Sequence, residues 1–148
     1  MNILIPLLLT FIPASTEVDI YDLHDALWLA ESSRQENPPD GDGGRAIGPY
    51  QIWHVYWQDA YDFDESLGGT YEDCRNRQYA LKVIHCYWRR YERKAFWRVY
   101  DGKGSMRDFE TLARCHQGGC NWRNKEGRRK KQNDRYWNKV KKELYHDR

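Results

Sequence analysis

The chain has 148 residues, of which 40% are apolar, 31% charged and 15% aromatic, with seven Trp and eleven Tyr. That length suits one domain, and aromatics on that scale exclude a disordered chain. Four Cys are too few for a disulfide-dense miniprotein, five Pro and eleven Gly exclude collagen-like and Pro-rich chains, and a net charge of +2 excludes a whole-chain polyanion binder.

Residues 2–14 form an apolar stretch too short to span a bilayer, followed by the small residues Ala14 and Ser15. They read as a signal peptide over 1–15, which implies a secreted protein with one domain over 16–148. No later stretch is long and apolar enough for a membrane span. Asp19 is placed to cap a helix over 19–33, with Asp22 at the third position and Ile20, Leu23, Leu27 and Ala30 on one apolar face. Residues 34–49, rich in Pro, Gly and Asp, read as a loop or small hairpin, with a short strand at Arg45–Gly48. A short aromatic helix follows over 50–61, then a loop to Gly69. Thr70 with Asp73 predicts the cap of a central helix whose stripe is Tyr79, Ala80, Val83, Ile84, Tyr87 and Tyr91. A helix over 108–116 stops at Gly118-Gly119. Residues 124–131 read as a basic linker, and Asn133 or Asp134 as the cap of a last helix carrying Tyr136, Trp137, Val140 and Leu144. The fold class is therefore mainly α, with one small β-hairpin element beside a cleft.

Charge is uneven along the chain. Residues 16–45 carry about −6 and residues 121–148 about +7, either as opposite lips of a cleft or as two solvated faces. Glu31 shares the apolar stripe of Leu23 and Leu27. A carboxylate there is out of place unless chemistry needs it, and a carboxylic acid kept protonated near neutrality serves as a general acid. Asp40 and Asp42 offer a second carboxylate in a polar, Gly-rich turn. An acid in an apolar site beside an ionised partner in a polar one is the arrangement that cleaves glycosidic bonds, for which lysozyme is the standard worked case.

Several stretches carry a resemblance: Glu31-Ser32-Ser33; Gly41-Asp42-Gly43-Gly44-Arg45-Ala46-Ile47-Gly48-Pro49-Tyr50-Gln51-Ile52; Tyr56-Trp57; Tyr87-Trp88-Arg89-Arg90-Tyr91; Ala113-Arg114-Cys115-His116-Gln117-Gly118-Gly119; and Tyr136-Trp137-Asn138-Lys139-Val140. In this order, over residues 20–142, the chain resembles the invertebrate-type (destabilase-like) lysozyme family, as a Cys-poor relative. The resemblance implies a lysozyme-like α+β fold and a muramidase that hydrolyses the β-1,4 bond between N-acetylmuramic acid and N-acetylglucosamine. In that reading Glu31 is the proton donor and Asp42, or else Asp40, the second carboxylate. Tyr50 and Gln51 line the sugar cleft, with His116 and Gln117 close by, and peptidoglycan glycan strands are the partner of a secreted monomer. A lytic transglycosylase and a non-catalytic wall-binding protein are the alternatives. An isopeptidase side activity is also known for animal members, and the sequence shows no clear triad for it. Gln117 and Cys120 depart from the Asn and Pro usual in the family.

Cys74, Cys86, Cys115 and Cys120 allow two disulfides, with Cys86–Cys115 the favoured pair because their helices are expected to pack together. Zinc held by His85, Cys86, Cys115 and His116 is disfavoured, since adjacent helical residues point about 100° apart, and no metal or other cofactor is expected. No phosphate-cradling Gly loop is present. Residues 128–131 suit an anionic partner or a solvated linker; the latter is preferred, with no nucleic acid expected.

Overall fold

The structure is a computed structural model that describes residues 17–146; the expected signal peptide lies outside the described residues. The carboxylate of Asp19 accepts hydrogen bonds from the Tyr21 and Asp22 N–H groups, and Asp22 accepts one from the Asp19 N–H. This capping box opens α1 (Ile20–Ser32) where the sequence places it. Ser33, at φ 52°, closes the helix with its N–H on the Leu29 carbonyl.

Strands β1 (Ala46–Ile47) and β2 (Ile52–Trp53) pair antiparallel, Ala46 opposite Trp53 and Ile47 opposite Ile52. The connection bends at Gly48, φ 72°, and returns at Gln51, φ 49°, whose N–H reaches the Gly48 carbonyl at 3.0 Å. Gly48 is required twice over: its φ is positive, and a Cβ there would collide with the Cys74 carbonyl. Because the hairpin uses 48–51, α2 begins only at His54 (His54–Phe63).

The Thr70/Asp73 capping box forms, but it opens a short 3-10 turn over Tyr71–Arg75. The central helix α3 (Arg77–Tyr91) has a separate cap, Asn76, which accepts from the Tyr79 N–H. The backbone breaks at Glu92 before α4 (Arg93–Tyr100). Helix α5 (Met106–Gly118) starts from a third capping box, Ser105 with Asp108. Helix α6 (Gly127–Leu144) corrects the expected linker, because Arg128–Lys131 already lie in its first turns. Burial of Asn133, Trp137, Val140 and Leu144 along one face pins it down.

Helix α3 lies at the centre. Ala80, Val83, Ile84, Tyr87 and Trp88 are buried, and the Trp88 indole N–H reaches the Leu112 carbonyl on α5 at 3.1 Å. Helix α6 packs on α1 and α5, which brings the last helix against the first. No helix among the described residues is long and apolar enough to cross a membrane.

The expected disulfides are absent: all four cysteines are free thiols, with Cys74, Cys86 and Cys115 buried and Cys120 exposed. Burial raises the pKa of both the Cys86 and Cys115 thiols. Among the described residues no group of three His, Cys, Asp or Glu side chains is arranged to hold a metal ion.

Candidate active site

Glu31 sits in the last turn of α1 and His116 in the last turn of α5. The two helices meet so that Glu31 Oε1 and His116 Nε2 stand 3.4 Å apart. The Glu31 side chain is 17% exposed and that of His116 3%, so the carboxylate meets solvent while the imidazole is held behind it. The other ring nitrogen, Nδ1, lies 3.3 Å from the Tyr56 hydroxyl on α2. An ionised carboxylate only accepts hydrogen bonds. The consistent arrangement therefore turns Nε2–H toward Glu31 and has Nδ1 accept from Tyr56.

Tyr56 is itself fixed. Its ring stacks on Tyr87 of α3 at 3.7 Å and 13°, and the Tyr87 hydroxyl accepts from the Cys120 N–H at 2.9 Å. Burial first, and neighbouring negative groups after it, push the Tyr56 hydroxyl well above its ordinary pKa, so it stays a donor. On the other side of Glu31 the buried hydroxyl of Tyr136 on α6 makes no hydrogen bond of normal geometry among the described residues. Burial, and then the nearby Glu31 carboxylate, keep it protonated.

Glu31 and His116 form part of the wall of a cavity of about 460 Å³, to which Asp42, Gln51, Trp53 and Gln117 also contribute. The structure therefore brings together five of the sequence-predicted site residues: Glu31, Asp42, Gln51, His116 and Gln117. Their surroundings differ. Asp42 lies in the turn before β1 at φ 49°, a left-handed conformation that Asp tolerates. Its carboxylate has no hydrogen bond or ion pair to another described residue. The Gln51 amide nitrogen is committed to the Gly48 carbonyl at 3.0 Å and the Pro39 carbonyl at 3.4 Å, so Gln51 pins the loop that carries Asp42. The Gln117 carbonyl accepts from Asn133 Nδ2 at 2.7 Å, which leaves its amide N–H groups for the cavity.

Two candidates lie elsewhere. Tyr50 is fully buried and its hydroxyl donates to the His24 carbonyl at 3.1 Å; it is a core residue and does not line the cavity. The left-handed turn at Gln51 is what sends Gln51 outward while Tyr50 points in. Asp40, the other choice for the second carboxylate, is gripped by the Arg75 guanidinium at 2.5 and 3.0 Å. That contact holds its pKa below the ordinary carboxylate value, and the residue serves as a loop anchor.

Sequence reasoning gave Tyr56, Tyr136 and Asn133 no place in the site. For the first two, the signal available was their place in the matched motifs. Asn133 reads as a helix cap because Asn favours caps. In the structure it is buried in mid-helix, bonded to the Arg114 carbonyl and Gln117 and accepting from Arg114.

No curated protein matches the chain. The model of the Destabilase family matches residues 26–143. Proteins of that family are known as isopeptidases, which hydrolyse ε-(γ-glutamyl)-lysine bonds. This finding overturns the expected glycoside hydrolase, whether muramidase or lytic transglycosylase, and with it peptidoglycan glycan strands as the partner. The bond is an amide: its cleavage needs water added to a carbonyl and a proton given to an amine. It does not need a glycosyl cation held between two carboxylates. With most of its length matched, the chain belongs to the Destabilase family, part of the invertebrate-type lysozyme-like group, as a cysteine-poor relative.

Proposed function

We propose that this protein hydrolyses isopeptide bonds of the ε-(γ-glutamyl)-lysine type, with water as the nucleophile, Glu31 as the group that carries the proton and His116 as the imidazole that positions it. The observation that carries this reading is the contact between Glu31 Oε1 and His116 Nε2 at the wall of an open cavity. Glu31, the more exposed partner, takes a proton from water as the oxygen attacks the γ-carbonyl carbon. The carbonyl π pair moves to oxygen, and the Gln117 amide N–H groups are the donors available to that oxyanion. Collapse of the tetrahedral intermediate breaks the C–N bond. The protonated Glu31 gives that proton to the leaving ε-amine, and the His116 Nε2–H steadies the carboxylate as it ionises again. One water is consumed, and one carboxylic acid and one amine are formed.

A covalent acyl route has no support among the described residues. Ser32, next to Glu31, spends its hydroxyl on the Trp28 and Gln35 carbonyls. Cys115, next to His116, is a buried thiol whose pKa burial raises well above its ordinary value.

The test is release of lysine ε-amine from a γ-glutamyl-ε-lysine cross-linked peptide. Glu31→Gln should lower the rate by about 10²-fold or more with an unchanged circular dichroism spectrum. Cys115→Ala should retain the rate. A Glu31→Gln variant within a few-fold of wild type would sink the assignment, and loss of activity in Cys115→Ala would establish the covalent route instead.

A further inference from the structure

Helix α6 buries Asn133, Trp137, Val140 and Leu144. At 100° per residue, the positions directly opposite that face are Arg128, Lys131, Arg135, Asn138 and Lys142, spaced three, four, three and four apart. All five are exposed. They form one straight stripe about 21 Å long on the helix rise. None of its four cations has an ion pair among the described residues. Of the other bases on α6, Lys130 holds Asp134 at 2.9 Å and Lys139 holds the Ala30 carbonyl at 2.9 Å, while Arg129 and Lys141 lie off the stripe with no ion pair among the described residues.

The stripe opposes its own helix. No acidic residue lies in the first turn of α6, and its N-cap residue Glu126 makes no side-chain cap bond. Arg128, Arg129, Lys130 and Lys131 crowd the end where the helix dipole is positive. Arg128 and Lys131, and Lys131 and Arg135, are like charges at spacings that repel. Solubility does not account for four aligned cations on one face of a chain whose net charge is only +2. Lys142 suits the C-terminal end of the helix, but at the N-terminal end the local choices work against the local structure, which marks a surface shaped by something outside it.

We propose that this face of α6 binds a single linear anionic glycan bearing sulfate or carboxylate groups. The chemistry on the page selects that partner. The exposed stripe carries no aromatic ring on which bases would stack, as a single-stranded nucleic acid requires. It carries no apolar residue to enter a lipid interface, because the apolar side of α6 is already buried. The stripe is a single straight row on one helix, the footprint of one narrow chain.

The experiment measures binding of the full chain to a heparin oligosaccharide by calorimetry over a series of salt concentrations. Arg128→Gln, Lys131→Gln, Arg135→Gln and Lys142→Gln are combined in one variant. Gln keeps helix propensity, so circular dichroism should be unchanged. The double variant Arg135→Gln with Lys142→Gln serves as a milder reading of the same stripe. A control removes the same charge around the α4–α5 hollow: Arg93→Gln, Lys94→Gln, Lys103→Gln and Arg107→Gln.

The stripe variant should lose at least tenfold in affinity, the double variant should fall between it and wild type, and the control should change less than twofold. The slope of log K against log salt should drop by about three, the effect of removing four charge contacts. Absence of heparin binding by wild type, or equal loss in stripe and control variants, overturns the proposal. Tighter binding to duplex DNA, single-stranded DNA or anionic vesicles at the same salt overturns the choice of partner. Glu31→Gln should bind heparin as wild type does, so this result is independent of the catalytic reading.

Discussion

Tyr56 illustrates how much of the site rests on one hydroxyl. Its ring is fixed by stacking on Tyr87, and its oxygen sets which nitrogen of His116 carries the proton. Tyr56→Phe keeps the stack and removes only the Nδ1 partner. Losing one neutral hydrogen bond of about 1 kcal/mol corresponds to roughly a fivefold lower rate. The ¹⁵N shifts of His116 should change from one tautomer to a mixture. Unchanged shifts would show that Tyr56 does not orient the ring. Glu31 was legible in the sequence because a carboxylate on an apolar helical stripe is anomalous from spacing alone. Its partner His116 was legible only through the motif, since 85 residues separate the two and no local pattern reports a contact between helices. Tyr50 misled for the opposite reason: two adjacent residues in a turn point opposite ways, and the turn geometry decides which one enters the core.

At the scale of elements, side-chain capping signals were the most readable feature. Three capping boxes form, and the two identified from sequence, Asp19/Asp22 and Thr70/Asp73, are among them. What Thr70 opens was not readable, because whether a turn continues as 3-10 or α depends on what it packs against. Helix α6 begins earlier than expected because its buried face outweighs the repulsion among its first residues. Packing between elements also sets a pH dependence. His24 of α1 and His85 of α3 meet Nε2 to Nε2 at 2.8 Å, one donating and one accepting, which requires the accepting ring to be neutral. Burial first, then the His85 and Arg77 charges, lowers His24 to about 3. Burial, then Arg89, lowers His85 to about 4. Between those values and 6.5 the unfolded chain binds more protons than the folded one, so stability is complete above pH 6.5 and falls as the pH drops. The slope should reach up to about 1.4 kcal/mol per pH unit for each ring. Urea titrations at pH 7, 6 and 5 measure it, and His24→Gln with His85→Gln should flatten it. An equal slope in that variant would place the titration elsewhere.

For the molecule as a whole, composition and periodicity were sufficient for a mainly helical domain with one hairpin, because the core stripe of α3 and the turn chemistry of residues 37–44 are strong local signals. The cysteine arithmetic failed, since an even count says nothing about where sulfurs point. The expected outcome with Ellman's reagent is four thiols per chain after denaturation. In the native state one, Cys120, should react promptly, and the three buried thiols only as the protein opens. Fewer than four after denaturation would restore a disulfide. The family match then changed the chemistry considered for the cavity that Glu31, Asp42 and His116 line together.

Helix α6 grips the segment around Glu31 from both sides. Lys139 holds the carbonyl of Ala30, and Glu143 holds Arg34, which also binds Asp25. The working geometry is therefore only as durable as the docking of a helix whose outer face repels itself. Heat should undock α6 first, so that inactivation precedes loss of bulk helicity. Counter-ions that screen the stripe should delay it, because screening is strong for exposed charges and weak for buried contacts. The temperature of half-inactivation should rise by about 3 °C for each kcal/mol of repulsion relieved on going from low salt to about 0.3 M NaCl. The variant lacking the four stripe cations should start from the higher value and respond little. A wild-type enzyme whose inactivation tracks global unfolding at every salt concentration would show that the last helix is not the weak point.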